Sequence, residues 1–218
     1  ITAGCDLTMP AEDTDHEIVE AVKAGVLAEA DLDECVVRLL ELIFKAVENR
    51  KHDTVVDYDA DHDLAREVAE NSMVLLKNDG ILPLSKAAKA AYIGIFADKP
   101  RIQGGGSSHI HCTKIIGAVE TAKAAGLDVT YVPGYLGSGD TTPELIAEAV
   151  ENSRDADYVI YVGGLNKSLY QDCENRDRLE YGLPYNQDEL ISALAKVNKN
   201  MTVVIISGNA VAMPWIDE

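Results

Sequence analysis

Apolar residues recur at helical spacing through the first quarter of the chain. Ile18, Val19, Ala21 and Val22 mark one amphipathic helix from Asp15 to Ala24, with Gly25 as its stop. Leu32, Val36, Leu39, Leu40, Ile43 and Val47 mark a second, expected from an Asp31 cap to about Glu48. Neither stripe has a neighbour of similar size, so each must bury against the other or against something outside this sequence. Residues 49–60 lose the period and read as an extended linker. A helix from Asp61 to about Asn71 then leads through Met73–Leu76 to the turn ending at Gly80.

Beyond that point the pattern changes to short β-rich runs separated by helices. The runs are Ala91–Phe96, Val129–Val132, Tyr158–Val162 and Met201–Ile206. A helix is expected from about Lys114 to Gly126. A second has Thr142 as cap and Pro143 at its first position, and a third opens at Asn186 with Glu189 three residues on, a capping-box spacing. Apolar strands alternating with helices predict an α/β fold: a three-layer sandwich around a mostly parallel sheet, preceded by a helical segment. The expected division is residues 1–58 and 59–218. The first residues read as the interior of something larger, and the last run as a sheet still unfinished, so the chain is expected to continue at both ends.

Composition narrows the partners. Among 218 residues the formal net charge is −18, which argues against nucleic acid or an anionic membrane as partner, because phosphate binding needs clustered Lys and Arg. No apolar run is long enough to span a bilayer, and no secretory pattern opens the sequence. Four cysteines (5, 35, 112 and 173) are widely spaced without a CxxC pair, the usage of reduced thiols, so a cytoplasmic location is expected. Cys35 falls within a helix pattern and is expected in the core.

The most suggestive chemistry lies between the last two strands. A polar loop, Asn166 to Leu183, carries Glu174 with Arg176 and Arg178 nearby, and Asp172 and Glu180 compete with Glu174 as candidate proton-transfer groups. Such loops at the carboxyl ends of α/β strands are where these folds place their sites. The glycine run at 104–106, followed by Ser107 and Ser108, lacks the Lys-Ser/Thr ending of a phosphate loop and fits a dinucleotide fingerprint poorly. His109, His111 and Cys112 offer two or three ligands without a fourth at suitable spacing, so no metal is expected. Tyr170 and Trp215 can stack on a sugar ring, although core packing is the ordinary role for a Trp beside Pro214.

Six motifs occur in an order that resembles the C-terminal half of family 3 glycoside hydrolases of the β-glucosidase type. They are Ala3-Gly-Cys-Asp-Leu-Thr-Met-Pro10, Val74-Leu-Leu-Lys-Asn-Asp-Gly-Ile-Leu-Pro-Leu84, Gly104-Gly-Gly-Ser-Ser108, the loop with Glu174, Asp177 and Arg178, Leu183-Pro-Tyr-Asn-Gln-Asp-Glu-Leu190, and Met213-Pro-Trp215. The resemblance implies that residues 1–58 are the tail of a (β/α)8-like barrel and that the rest is an α/β sandwich domain. It implies a retaining hydrolase of terminal β-linked sugars, needing no cofactor, whose nucleophilic Asp lies upstream of Ile1. Glu174 would be its acid/base, although Cys173 and Asn175 depart from the usual small residues beside it. On their own residue chemistry, Gly106 and Ser107 either approach the sugar, with Ser107 as a donor, or form a purely structural turn, and Asp177 and Arg178 are expected to pair, supporting the loop and leaving Glu174 free. The implied partners are a β-glucoside-like substrate and the barrel, with oligomeric state left open. The rival reading is a non-catalytic flavodoxin-like domain that binds a carbohydrate or a nucleotide.

Overall fold

A computed structural model of the chain describes residues 1–9, 14–85, 88–103, 106–138, 141–166 and 177–217. Its compact units are Ile1–Ala65 and Arg66–Glu218.

The first unit is helical. Helix α1 (Asp15–Lys23) ends on Gly25 at φ 71°, where Val26 N–H reaches Ala21 O and Gly25 N–H reaches Val22 O, each at 3.0 Å. These paired bonds satisfy the last carbonyls through a left-handed residue that glycine adopts without steric cost. Helix α2 (Glu29–Glu48) begins two residues before the expected Asp31, from Ala28. Asp31 instead sits in the first turn beside Glu29, where an acid favours the positive end of the helix without capping it. Cys35 is buried on α2, as its pattern suggested. Helix α3 (Tyr58–Ser72), whose first half belongs to this unit, also starts earlier than expected. The Asp57 carboxylate accepts from Ala60 N–H at 3.0 Å and nucleates a turn inside what had read as linker.

The second unit is a four-stranded parallel sheet in the order β2-β1-β3-β4, with β1 (Lys89–Ile93), β2 (Asp128–Val132), β3 (Tyr158–Gly164) and β4 (Met201–Ile206). All four expected runs are strands, but the first stops at Ile93. Gly94 turns the chain at φ 108°, and a short helix α4 (Ile95–Asp98) follows. Helix α5 (Ala118–Ala124) starts after Gly117, several residues beyond Lys114. Helix α6 (Pro143–Arg154) has the expected cap, with Thr142 Oγ1 accepting from Leu145 N–H at 3.4 Å. Helix α7 (Gln187–Val197) does not form the expected capping box. Asn186 enters it at φ 52° and its side chain makes no cap bond, because a left-handed approach aims that side chain away from the first turn.

Alternate residues of β3 feed two cores. Val159 and Tyr161 join Ile93, Leu190, Ile191 and Leu194 on one face, whereas Ile160 and Val162 join Phe96, Ala97 and Val119 on the other. A sheet buried on both faces reads as continuous apolar runs, which is why the strands were legible. Strand order reverses between β1 and β3, so their carboxyl ends open the crevice where open α/β sheets receive ligands.

Candidate functional site

The described exits from β1 and β3 lie at this carboxyl edge. Leu165 N–H still bonds Ile206 O at 3.0 Å, continuing the β3–β4 ladder by one residue. Asn166 then leaves the sheet. Its amide donates to Gly137 O at 3.0 Å and also to the Tyr185 hydroxyl. Arg101, on the chain beyond β1, donates from Nη1 to Leu165 O at 2.9 Å, and its partial burial lowers the guanidinium pKa. The turn after β1 and the exit from β3 are thereby tied together.

The chain returns at Asp177. Arg178 donates to Ala210 O, and its guanidinium carbon lies 5.8 Å from the centre of the Tyr181 ring. Arg178 is thereby anchored on the segment after β4. That segment is held a second time by Ala212 N–H to Tyr181 O at 2.9 Å. The return also carries two consecutive non-glycine residues at positive φ, Tyr185 at 64° and Asn186 at 52°. Such conformations persist only where the surroundings over-determine them. Here Thr141 supplies one restraint, with its hydroxyl donating to Tyr185 O at 2.6 Å. The Tyr135 ring stacks on Tyr185 at 6.4 Å and 16°.

Buried beneath this neck is Gln187, fully shielded from solvent and bonded to Tyr161, Gly164 and Pro184. Burial pushes the Tyr161 hydroxyl far above its ordinary pKa, so it remains a proton donor to that amide.

The predicted residues fall as follows. Glu174, with Asp172, Cys173, Asn175 and Tyr170, lies outside the described residues; its described neighbours in the chain are Asn166, half-buried, and Asp177, exposed. Gly106 and Ser107 form a short 3-10 turn, Gly106–Ser108, with Ser107 exposed. No α-helix begins at that turn, which removes the helix terminus a dinucleotide would need. Trp215 is core, packed with Leu183, Tyr185 and Val211 while its indole N–H reaches Asp188. His109 and His111 are exposed with rings 6.0 Å apart, and among the described residues no three His, Cys, Asp or Glu side chains are placed to hold a metal. No helix among them is long and apolar enough to cross a membrane. Sequence reasoning missed Arg101, Asn166 and Gln187. The available signal was the Gly163-Gly164 pair ending a strand, since paired glycines there mark a close approach by another group.

Comparison with known proteins is consistent with this architecture. Residues 73–218 match the family described as the glycosyl hydrolase family 3 C-terminal domain. The whole chain is 44% identical to thermostable beta-glucosidase B of Acetivibrio thermocellus, covering 30% of that protein. Beta-glucosidase BoGH3A of Bacteroides ovatus is 38% identical over 92% of this chain and 30% of its own length. Among solved structures, the GH3 beta-glucosidase of Bifidobacterium adolescentis superposes with a TM-score of 0.85 at 39% identity, covering 98% of this chain and 32% of that one. This sequence thus spans about a third of the length of such relatives. The chain belongs to the glycosyl hydrolase family 3 C-terminal domain family.

Proposed function

We propose that the protein containing this chain is a retaining hydrolase of terminal β-linked sugars, β-glucosides foremost, and that this chain supplies its acid/base, Glu174. Retention requires two carboxyl groups about 5–5.5 Å apart, one attacking and one alternating between acid and base. The attacking carboxylate comes from the rest of the protein. Residues 1–58 are read as the tail of the barrel that carries it, a reading supported by their lying within the helical unit Ile1–Ala65 with Val36, Val37, Ile43, Phe44 and Val47 exposed. Gly106 and Ser107 contact the sugar from the neighbouring loop, and Arg178 holds the returning chain through Ala210.

One observation carries the reading. The described ends of the segment bearing Glu174 stand at the carboxyl edge of the sheet, beside the reversal of strand order. The names of the relatives above point to the same chemistry. The widely spaced cysteines without a CxxC pair are read as the reduced thiols of a cytoplasmic protein.

The test is Glu174→Ala in the full-length protein. The variant should lose about 100-fold or more in kcat/KM on an alkyl β-glucoside, whose departing oxygen needs a proton. It should lose little on 2,4-dinitrophenyl β-glucoside, and added azide should accelerate its turnover. Equal losses on both substrates would remove Glu174 from this role.

A further inference from the structure

Gln187 is a fully buried amide whose entire hydrogen-bonding capacity is used on the neck of the loop. Its Oε1 accepts from the Tyr161 hydroxyl at 2.8 Å and from Gly164 N–H at 2.9 Å. Its Nε2 donates to Gly164 O at 2.8 Å and to Pro184 O at 2.9 Å. Gly164 ends the strand from which the loop departs, and Pro184 lies on the returning chain. A single side chain therefore bonds both sides of the neck.

The surroundings are shaped to admit that side chain. A Cβ at Gly163 would lie 2.4 Å from Gln187 Oε1 and 2.5 Å from the Tyr161 hydroxyl oxygen. A Cβ at Gly164, where φ is 134°, would lie 2.0 Å from Ile206 O. On the other side, Tyr185 and Asn186 both take left-handed conformations immediately before Gln187. Leucine would fill this volume without any bonds. Glutamate would offer no N–H donors, and asparagine is one methylene too short to span the neck. Two glycines and two strained residues arranged around one saturated amide indicate that the geometry of the neck itself is maintained.

We propose that Gln187 is a positioning residue for the hydrolysis, fixing Gly164 against Pro184 and so setting the two ends of the segment that carries Glu174. This rests on Glu174 being the acid/base. A displacement of about 1 Å in a catalytic group costs on the order of 100-fold in rate. Loosening the neck should therefore hurt the proton transfer selectively.

The experiment compares Gln187→Met, Glu174→Ala and the unaltered full-length enzyme on an alkyl β-glucoside and on 2,4-dinitrophenyl β-glucoside. For Gln187→Met, kcat/KM should fall about 100-fold on the alkyl glucoside and less than about 5-fold on the dinitrophenyl substrate. A merely structural role would lower the active fraction and depress both substrates alike, and that result overturns the proposal, as does no loss on either. If Gln187→Met does not fold, Tyr161→Phe keeps the shape of the site and removes one of the four bonds. It should give a smaller loss with the same substrate dependence, and equal losses there also overturn the proposal. Should Glu174→Ala itself lack the dependence, the acid/base assignment fails first and takes this inference with it. Should Glu174→Ala show it and Gln187→Met not, only the role of Gln187 fails.

Discussion

The indole N–H of Trp215 donates to Asp188 Oδ1 at 2.6 Å, joining the chain beyond β4 to the first turn of α7. Trp215 is buried among Leu183, Tyr185 and Val211, so this bond fixes the segment that also provides the Ala210 anchor for Arg178. Trp215→Phe keeps most of the ring contact and removes the donor. A hydrogen bond to a charged acceptor contributes about 1.5–3 kcal/mol. The variant should lose about that much stability, read as a lower urea midpoint with an unchanged slope. Asp188→Asn retains an acceptor oxygen and should lose less.

Gly94 turns the chain from β1 into α4 at φ 108°, and a Cβ there would lie 2.1 Å from Val162 O on the neighbouring strand. Both the conformation and the space exclude any other residue without movement of β1 against β3. Gly94→Ala should cost more than about 3 kcal/mol, a large part of the 5–15 kcal/mol that holds an ordinary domain together. The melting midpoint should drop by about 6–12 °C. A drop of only a degree or two would mean that the turn is free to rearrange.

These residues also show what sequence could and could not reveal. The strands were legible because burial on both faces leaves uninterrupted apolar runs, as in Val159–Val162. Helix α6 was legible because Thr142 and Pro143 encode its start locally. The failures occurred where tertiary contacts override local signals. Phe96 continued an apolar run yet lies past the turn at Gly94, and Asn186 had the spacing of a capping box but the backbone of a left-handed turn. Gln187 was invisible for the same reason. Its partners Tyr161 and Gly164 are more than twenty residues away, and a glutamine in the first turn of a helix reads as a solvated residue. Glu174 came from motif order, which identifies a residue without giving it geometry.

Asp6 and Arg38 form a bidentate pair, with Nε to Oδ2 at 2.9 Å and Nη2 to Oδ1 at 2.7 Å, tying the first residues to α2. The Arg38 hydrogen bonds hold the Asp6 carboxyl below its usual value, with a further lowering from Cys35. A carboxyl whose folded pKa is depressed stabilises the folded state above its unfolded pKa of about 3.9 and loses that contribution as pH falls through the lowered value. The carboxyl carbon resonance of Asp6 should therefore titrate below the ordinary carboxylate range. In Arg38→Met it should rise toward about 3.9. An unchanged titration in that variant would show that the pair does not form in solution.

The final prediction concerns the chain by itself. Hydrolysis with retention needs an attacking carboxylate and a proton donor on opposite sides of one glycosidic bond. Asp177 and Glu180, the described acids nearest Glu174 in sequence, are exposed at the return of its own loop. Carboxylates on one loop reach the sugar from the same side and cannot complete the pair. The 218 residues alone should leave an aryl β-glucoside intact even when fully folded. Adding the remainder of the protein in trans should restore turnover only if the two parts reassociate. Cleavage by the isolated chain, abolished in Glu174→Ala but not by removing contaminating hydrolases, would show that the attacking group lies within it after all. The division of labour between the two parts of the protein would then have to be redrawn.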